Sequence, residues 1–139
     1  MGALDRVPTA EDVTVAVAAC GRTAGLVRCL EALASGTVLP REVIVVDQAP
    51  TAAARTAVAE CRRPAARYLE QPRLGLSASR NLALASAATA LLAVTDDDCA
   101  PHEGWVAALA AALTRDPVPA AVTGSIVALG PRPPGAHAV

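Results

Sequence analysis

The chain has 139 residues, enough for one domain with a buried core. Its net charge of −1 provides no basic surface for nucleic acid, and Trp105 and Tyr68 are too few aromatics to stack bases. The longest apolar stretch, residues 82–94, is too short to span a bilayer, and the first residues contain no signal-peptide core. The four cysteines form no CxxC pair and have no histidine at zinc-site spacing, which indicates reduced thiols. We therefore expect a cytoplasmic protein with no integral membrane segment and no nucleic-acid partner.

The first half of the chain predicts two strands, each followed by a helix. Residues 13–17 are mostly β-branched and predict the first strand, after which Thr23 can cap a helix. Residues 42–47 form a continuous apolar run that ends in an aspartate, which is typical of a strand covered on both faces. Thr51 can then cap a second helix that runs to about Cys61.

The second half repeats this alternation. Residues 66–69 predict a short strand, and residues 75–88 predict a helix that opens with a glycine. Residues 90–94 predict the next strand, and a fourth helix follows Pro101. Residues 120–129 begin as an apolar run and predict a final strand.

Alternating strands and helices predict an α/β fold, a three-layer sandwich with a mostly parallel sheet. We assign residues 1–11 to an N-terminal extension and residues 12–129 to the domain. Residues 130–139 form a Pro/Gly-rich tail that cannot hold regular structure.

Three adjacent carboxylates, Asp96, Asp97 and Asp98, directly follow the apolar run of the fourth strand. At about 5 Å and an effective dielectric constant near 20, each close pair repels by roughly 3 kcal/mol. A divalent cation would relieve this repulsion, because Mg²⁺ prefers carboxylate oxygens and keeps coordination sites open for substrate phosphates. The alternative is a solvated acidic loop, but the position at the end of a buried strand favours a cation site.

Other polar groups follow the neighbouring strands. Ligands of parallel sheets bind at the carboxyl ends of strands, where residues 19–22, Asp47 and the acidic triplet are all expected. Asp47 could accept hydrogen bonds from a ribose or a base, or cap a turn. Gly75 opens a helix N-terminus that suits an anion. Arg80 in its first turn could pair with phosphate or form a surface salt bridge.

Four segments together carry a resemblance to a known family. Residues 13–22, 42–50, 75–84 and 91–105 resemble the nucleotide-sugar half of a family 2 inverting glycosyltransferase of the GT-A fold. The resemblance covers about residues 12–129. It departs from the family pattern in the first loop, residues 18–22, which lacks the usual aromatic, and at Asp47, where two aspartates are common.

The resemblance implies a role for each candidate residue. Asp98 would ligate Mn²⁺ or Mg²⁺, with Asp97 as an alternative ligand; in an extended segment Asp97 would point away from the face shared by its two neighbours. Asp47 would contact the base or ribose, Arg80 would lie on the base and phosphate side, and Asp96 would hold the ribose. The donor-binding set is Ala19, Asp47, Gly75, Arg80 and Asp96. The implied partners are a nucleoside-diphosphate sugar and an unidentified acceptor, which could be a saccharide, a lipid-linked molecule or a small molecule.

In this family the catalytic base and acceptor pocket come from the second half of the domain. The last carboxylate here is Asp116, so no catalytic residue is assigned, and we expect a truncated transferase that carries the donor-binding half. Exposed apolar edges would favour self-association. Two alternatives stay open: a non-catalytic binding or assembly module, and another α/β enzyme with an acidic metal site, such as a nucleotidyltransferase or a phosphohydrolase.

Overall fold

The computed structural model describes residues 9–72 and 75–130. Most of the N-terminal extension and the Pro/Gly-rich tail, residues 1–8 and 131–139, lie outside the described residues. Strands and helices alternate along the described chain. The strands are β1 (Val13–Ala19), β2 (Glu42–Asp47), β3 (Ala66–Glu70) and β4 (Leu91–Asp96). The helices are α1 (Thr23–Ala34), α2 (Ala52–Glu60), α3 (Leu76–Ser86) and α4 (Trp105–Ala112).

The four strands form one parallel sheet with the order β3-β2-β1-β4. The chain moves outward from β1 through β2 to β3 and then returns to place β4 on the other side of β1. The strand order therefore reverses between β1 and β4, the point at which open α/β sheets bind ligands. The α/β prediction with a parallel sheet is confirmed.

Helices cover both faces of the sheet and complete the three layers. The larger apolar cluster lies between one face of the sheet and helices α1, α2 and α4. The smaller cluster lies between the other face and α3, and its buried members are Ala16, Ile44, Val46 and Ala83. Strands β1 and β2 are buried almost throughout, because each has a strand on both sides and apolar residues above and below.

Two helix starts differ in how they are capped. The Thr51 hydroxyl accepts a 3.0 Å hydrogen bond from the amide of Ala54, so Thr51 caps α2 as the sequence predicts. Thr23 is instead the first residue of α1, and Arg22 occupies the capping position without a side-chain bond. The prediction for Thr23 was therefore wrong. In the described part of the chain, no helix has the length and apolarity needed to cross a membrane.

The predicted final strand is absent from the structure. Residues 120–129 form no strand and are largely solvent-exposed, with Ile126 93% exposed. An apolar run becomes a strand only when a neighbouring strand satisfies its backbone groups, and none of the strands in the described ranges pairs with this segment.

Candidate functional site

The carboxyl ends of three adjacent strands meet at one edge of the sheet. The register sets Ala19 beside Asp47 and Ala18 beside Asp96. The loop after β1, the end of β2 and the acidic residues after β4 thus lie at the same edge, next to the reversal of strand order. The structure therefore brings Asp47 and the acidic triplet to one border of the molecule.

The three aspartates lie in a tight turn rather than an extended segment. Strand β4 ends at Asp96, whose carbonyl oxygen accepts a 3.1 Å hydrogen bond from the amide of Cys99. We call residues 96–99 the acidic turn. Because the chain bends after Asp96, the segment is not extended, and the condition under which Asp96 and Asp98 would share one face is not met. Asp97 is fully buried, whereas the side chain of Asp98 is 53% exposed.

Asp97 anchors the acidic turn to the loop after β1. One carboxylate oxygen accepts a 3.0 Å hydrogen bond from the backbone amide of Cys20. The other accepts two hydrogen bonds from the Arg22 guanidinium, from Nε at 2.9 Å and from Nη2 at 2.5 Å. With both oxygens occupied and no exposed surface, this side chain has no free position for a cation. The geometry therefore argues against Asp97 as an alternative metal ligand and assigns it a structural role.

Arg22 is the residue that sequence reasoning missed. Its guanidinium also reaches the Asp98 carboxylate, with Nη1 3.3 Å from Oδ2, and the side chain stays 56% exposed. The hydrogen bond to Asp97, with the charges of Asp97 and Asp98, raises the pKa of Arg22 above its usual value. A resident arginine thus offsets part of the repulsion that the sequence analysis assigned to a cation. The only sequence feature that could have pointed to Arg22 was its position in the loop after the first strand.

Asp96 and Arg80 face each other across β4 and α3. Nη2 of Arg80 lies 3.5 Å from Oδ1 of Asp96, and both side chains are partly exposed. The Asp96 Oδ1 atom is buried and has no hydrogen-bond partner in the described part of the chain. This oxygen therefore interacts with Arg80 by charge alone, and a ligand hydroxyl could donate to it only if the surrounding side chains moved.

Asp47 lies at the same edge but is 1% exposed. Its oxygens accept hydrogen bonds from the amide of Ala49 at 2.9 Å and from the hydroxyl of Tyr68 at 2.6 Å. Burial, together with the hydrogen bond to Asp47, raises the pKa of Tyr68 above its usual value. A nucleotide could reach Asp47 only if Tyr68 or the turn moved, so the geometry favours the interpretation of a turn aspartate.

Gly75 and Ala19 shape the loops around the site. The backbone amide of Gly75 donates a 2.6 Å hydrogen bond to the side-chain oxygen Oε1 of Gln48. The backbone amide of Gln48 in turn donates a 2.9 Å hydrogen bond to the carbonyl of Ala19. Gly75 has a φ of +146°, which few residues other than glycine adopt. The Gly75 amide already donates to Gln48, and Ala19 is buried. These two residues therefore support the loops through their backbones.

The oxygen ligands here fit a cation that also binds a substrate. Among the residues described, no group of three or more histidine, cysteine or acidic side chains is placed to hold a metal. Mg²⁺ sites commonly use one or two carboxylates together with substrate phosphates and water. The exposed carboxylate of Asp98 meets that requirement, and carboxylate oxygens suit Mg²⁺ and Mn²⁺.

A family model for glycosyl transferase family 2 matches residues 14–136 of this chain. The chain belongs to this family. No curated protein matches the chain. The match spans all four strands of the parallel sheet except the first residue of β1.

Several solved structures share the fold of this family 2 domain. S. aureus TarS has a TM-score of 0.65 and 22% identity, over 73% of this chain and 19% of TarS. Mannosyltransferase PcManGT from Pyrobaculum calidifontis, in complex with GDP-Man and Mn²⁺, has a TM-score of 0.61 and 28% identity, over 79% of this chain and 34% of that protein. Glucosyl-3-phosphoglycerate synthase from Mycobacterium tuberculosis, in complex with Mn²⁺, UDP and glucosyl-3-phosphoglycerate, has a TM-score of 0.62 and 19% identity. The match covers 75% of this chain and 40% of the synthase.

The matched region spans between 19% and 40% of the length of these three proteins. Over that region, the TM-scores show that this chain has the GT-A glycosyltransferase fold.

Proposed function

We propose that this chain binds the nucleoside-diphosphate-sugar donor of an inverting glycosyltransferase, together with Mn²⁺ or Mg²⁺. One observation carries this proposal. In a family 2 chain, the exposed Asp98 and the Asp96–Arg80 pair flank the reversal of strand order between β1 and β4. The complexes of PcManGT with GDP-Man and Mn²⁺, and of the mycobacterial synthase with UDP and Mn²⁺, support a donor of this class. The transfer to an acceptor and the cytoplasmic location belong to the same proposal.

Each residue has a distinct task in this proposal. Asp98 presents its carboxylate to the cation, and Asp97 holds the turn that carries it. Asp96 accepts a ribose hydroxyl at its partly exposed carboxylate, and Arg80, which is paired with that carboxylate, supplies positive charge on the phosphate side. Asp47 supports the loop beside the base rather than contacting the base itself. When bound, a divalent cation offsets the charge of the leaving nucleoside diphosphate.

A thermal-shift screen of UDP, GDP and ADP, each with and without Mn²⁺, tests this function. At about 100 times the dissociation constant, a bound ligand adds about 2.7 kcal/mol of stability. We expect at least one nucleotide to stabilise the chain, more strongly with Mn²⁺, and Asp98→Asn to remove the Mn²⁺-dependent part. Glu60→Gln, an exposed change at the end of α2, is the matched control and should keep the Mn²⁺-dependent stabilisation. Equal nucleotide stabilisation in Asp98→Asn and in the unchanged chain would contradict the role of Asp98.

A non-catalytic binding or assembly module is the second candidate. It is favoured by the contacts of Arg22 with Asp97 and Asp98, which neutralise part of the acidic turn without an ion. This candidate predicts no stabilisation by any nucleotide, with or without Mn²⁺. The same screen therefore separates the two functions.

A further inference from the structure

The acidic turn is held by the segment that leads from β1 into α1, residues 20–25. The Cys20 amide and the Arg22 guanidinium both bind the carboxylate of Asp97. The Asp97 amide in turn donates a 3.1 Å hydrogen bond to the carbonyl of Ala18, at the end of β1. Since β4 has already ended at Asp96, the location of Asp98 depends on these contacts rather than on sheet pairing.

Gly25, in the first turn of α1, contacts the backbone of the acidic turn. A Cβ atom at this position would lie 2.7 Å from the carbonyl oxygen of Asp97 and 3.6 Å from the Cα of Asp98. These are backbone atoms, which cannot rotate away as a flexible side chain can. Glycine is a poor residue inside a helix, and alanine would favour α1 more strongly. The close approach to the acidic turn is therefore the physical reason for glycine here.

We propose that Gly25 and Arg22 are positioning residues for donor binding, which together set the location of the Asp98 carboxylate. This inference rests on the proposed function. Gly25 acts by leaving space for the turn, and Arg22 acts by binding Asp97 and Asp98 at once. Neither residue needs to contact the cation. Residues that support a metal ligand typically contribute 10- to 100-fold to metal affinity, and about 1 Å of misplacement can be costly in an active site.

The test compares the dissociation constant of the best nucleoside diphosphate with and without Mn²⁺, measured by titration calorimetry. The ratio of these two constants is the metal coupling. We expect Gly25→Ala to reduce the metal coupling by about tenfold or more, while the affinity without Mn²⁺ stays within about twofold. Simple destabilisation of the fold would lower both affinities together and leave their ratio unchanged. The metal coupling therefore separates positioning from a general structural role.

Gly104→Ala is the matched control, because a Cβ there would lie 3.6 Å from its nearest neighbour, the His102 ring, in ordinary contact. This control should keep the full metal coupling. In an Asp98→Asn background, Gly25→Ala should cause no further loss, since both changes act through the same carboxylate.

Arg22→Lys supplies a second variant that does not add volume to the packed segment. A lysine keeps the charge but lacks the fork that binds Asp97 and Asp98 at once, so we expect it to lower the metal coupling as well. If Gly25→Ala does not fold, Arg22→Lys decides the matter.

The outcomes distinguish this inference from the proposed function. Full metal coupling in Gly25→Ala and in Arg22→Lys, when the unchanged chain binds nucleotide with Mn²⁺, would overturn the positioning role alone. No nucleotide binding by the unchanged chain would overturn both.

Discussion

Three consecutive aspartates have three different surroundings in this protein. Asp97 is buried and fully hydrogen-bonded, Asp98 is exposed, and Asp96 has one buried oxygen without a hydrogen-bond partner in the described residues. The turn that begins at Asp96 produces this difference, because it directs one carboxylate inward and leaves the next in solvent. At the residue scale, structural and binding tasks are thus divided between neighbours with the same chemistry.

A partly buried carboxylate, Glu42, lies at the opposite end of the sheet. Glu42 is hydrogen-bonded to Arg67, with Nε 2.8 Å from Oε2, and to the hydroxyl of Thr14 at 3.2 Å. Burial opposes the charged form, but the hydrogen bonds and charge of Arg67, with the Thr14 hydroxyl, outweigh burial and hold the pKa of Glu42 below its usual value. A carboxyl whose pKa is lowered by folding stabilises the fold above its unfolded pKa, and this stabilisation is lost as the pH falls through the folded pKa.

We therefore expect Glu42→Gln to lower the free energy of unfolding at pH 7 by about 1 kcal/mol. The difference between variant and parent should shrink as the pH falls below about 4, where an unfolded glutamate also becomes protonated. Urea unfolding at a series of pH values measures this, with Glu60→Gln as the control. A difference that stays constant down to pH 3 would show that the charge of Glu42 does not matter.

At the element scale, the helices differ in how their first turns are capped. The Thr51 hydroxyl satisfies the Ala54 amide at the start of α2, whereas Thr23 caps nothing in α1. The hydroxyl oxygens of Thr23 and Thr51 lie 3.4 Å apart. They therefore form a matched pair in which only one is a cap.

We expect Thr51→Ala to cost about 1 kcal/mol of stability, because the first turn of α2 loses its side-chain acceptor. Thr23→Ala should change stability by less than about 0.5 kcal/mol, as a surface substitution in a helix does. Chemical denaturation of both variants measures the difference. Equal losses would indicate that the contact between the two hydroxyls, rather than the cap, is responsible.

At the scale of the whole molecule, the two faces of the sheet are covered unequally. Three helices pack on one face, while α3 alone supplies the helical cover of the other in the described residues. Strand β4 is an edge strand, and Leu84, Ile126 and Val127 are largely exposed. Exposed apolar side chains and an open strand edge each favour contact with another chain.

We therefore predict that this chain self-associates as its concentration rises. The double substitution Ile126→Ser with Val127→Ser should weaken the association, because these two are the most exposed of the large apolar side chains in the described part of the chain. Sedimentation equilibrium over a concentration series measures this, and Thr123→Ser in the same segment is the control. A monomer at every concentration would contradict the prediction.

Much of the framework could be predicted from the sequence. Residues 42–47 were predicted as a strand with the observed bounds, because their apolar run ends sharply at Asp47. The α2 cap was predicted because Thr51 is followed by residues that favour a helix. Residues 120–129 could not be predicted correctly, since a strand depends on a partner that local composition does not reveal.

The sequence by itself determined the alternation of strands and helices. Alternation of this kind requires right-handed crossovers and a parallel sheet, and it therefore brings the acidic triplet and Asp47 to the same edge. Only the tertiary structure decided what each carboxylate does there. Placing β4 beside β1 joins Arg22 to Asp97 across 75 positions of sequence, and placing β3 beside β2 covers Asp47 with Tyr68. Contacts between such distant residues depend on strand order and packing, which local patterns of residues do not encode.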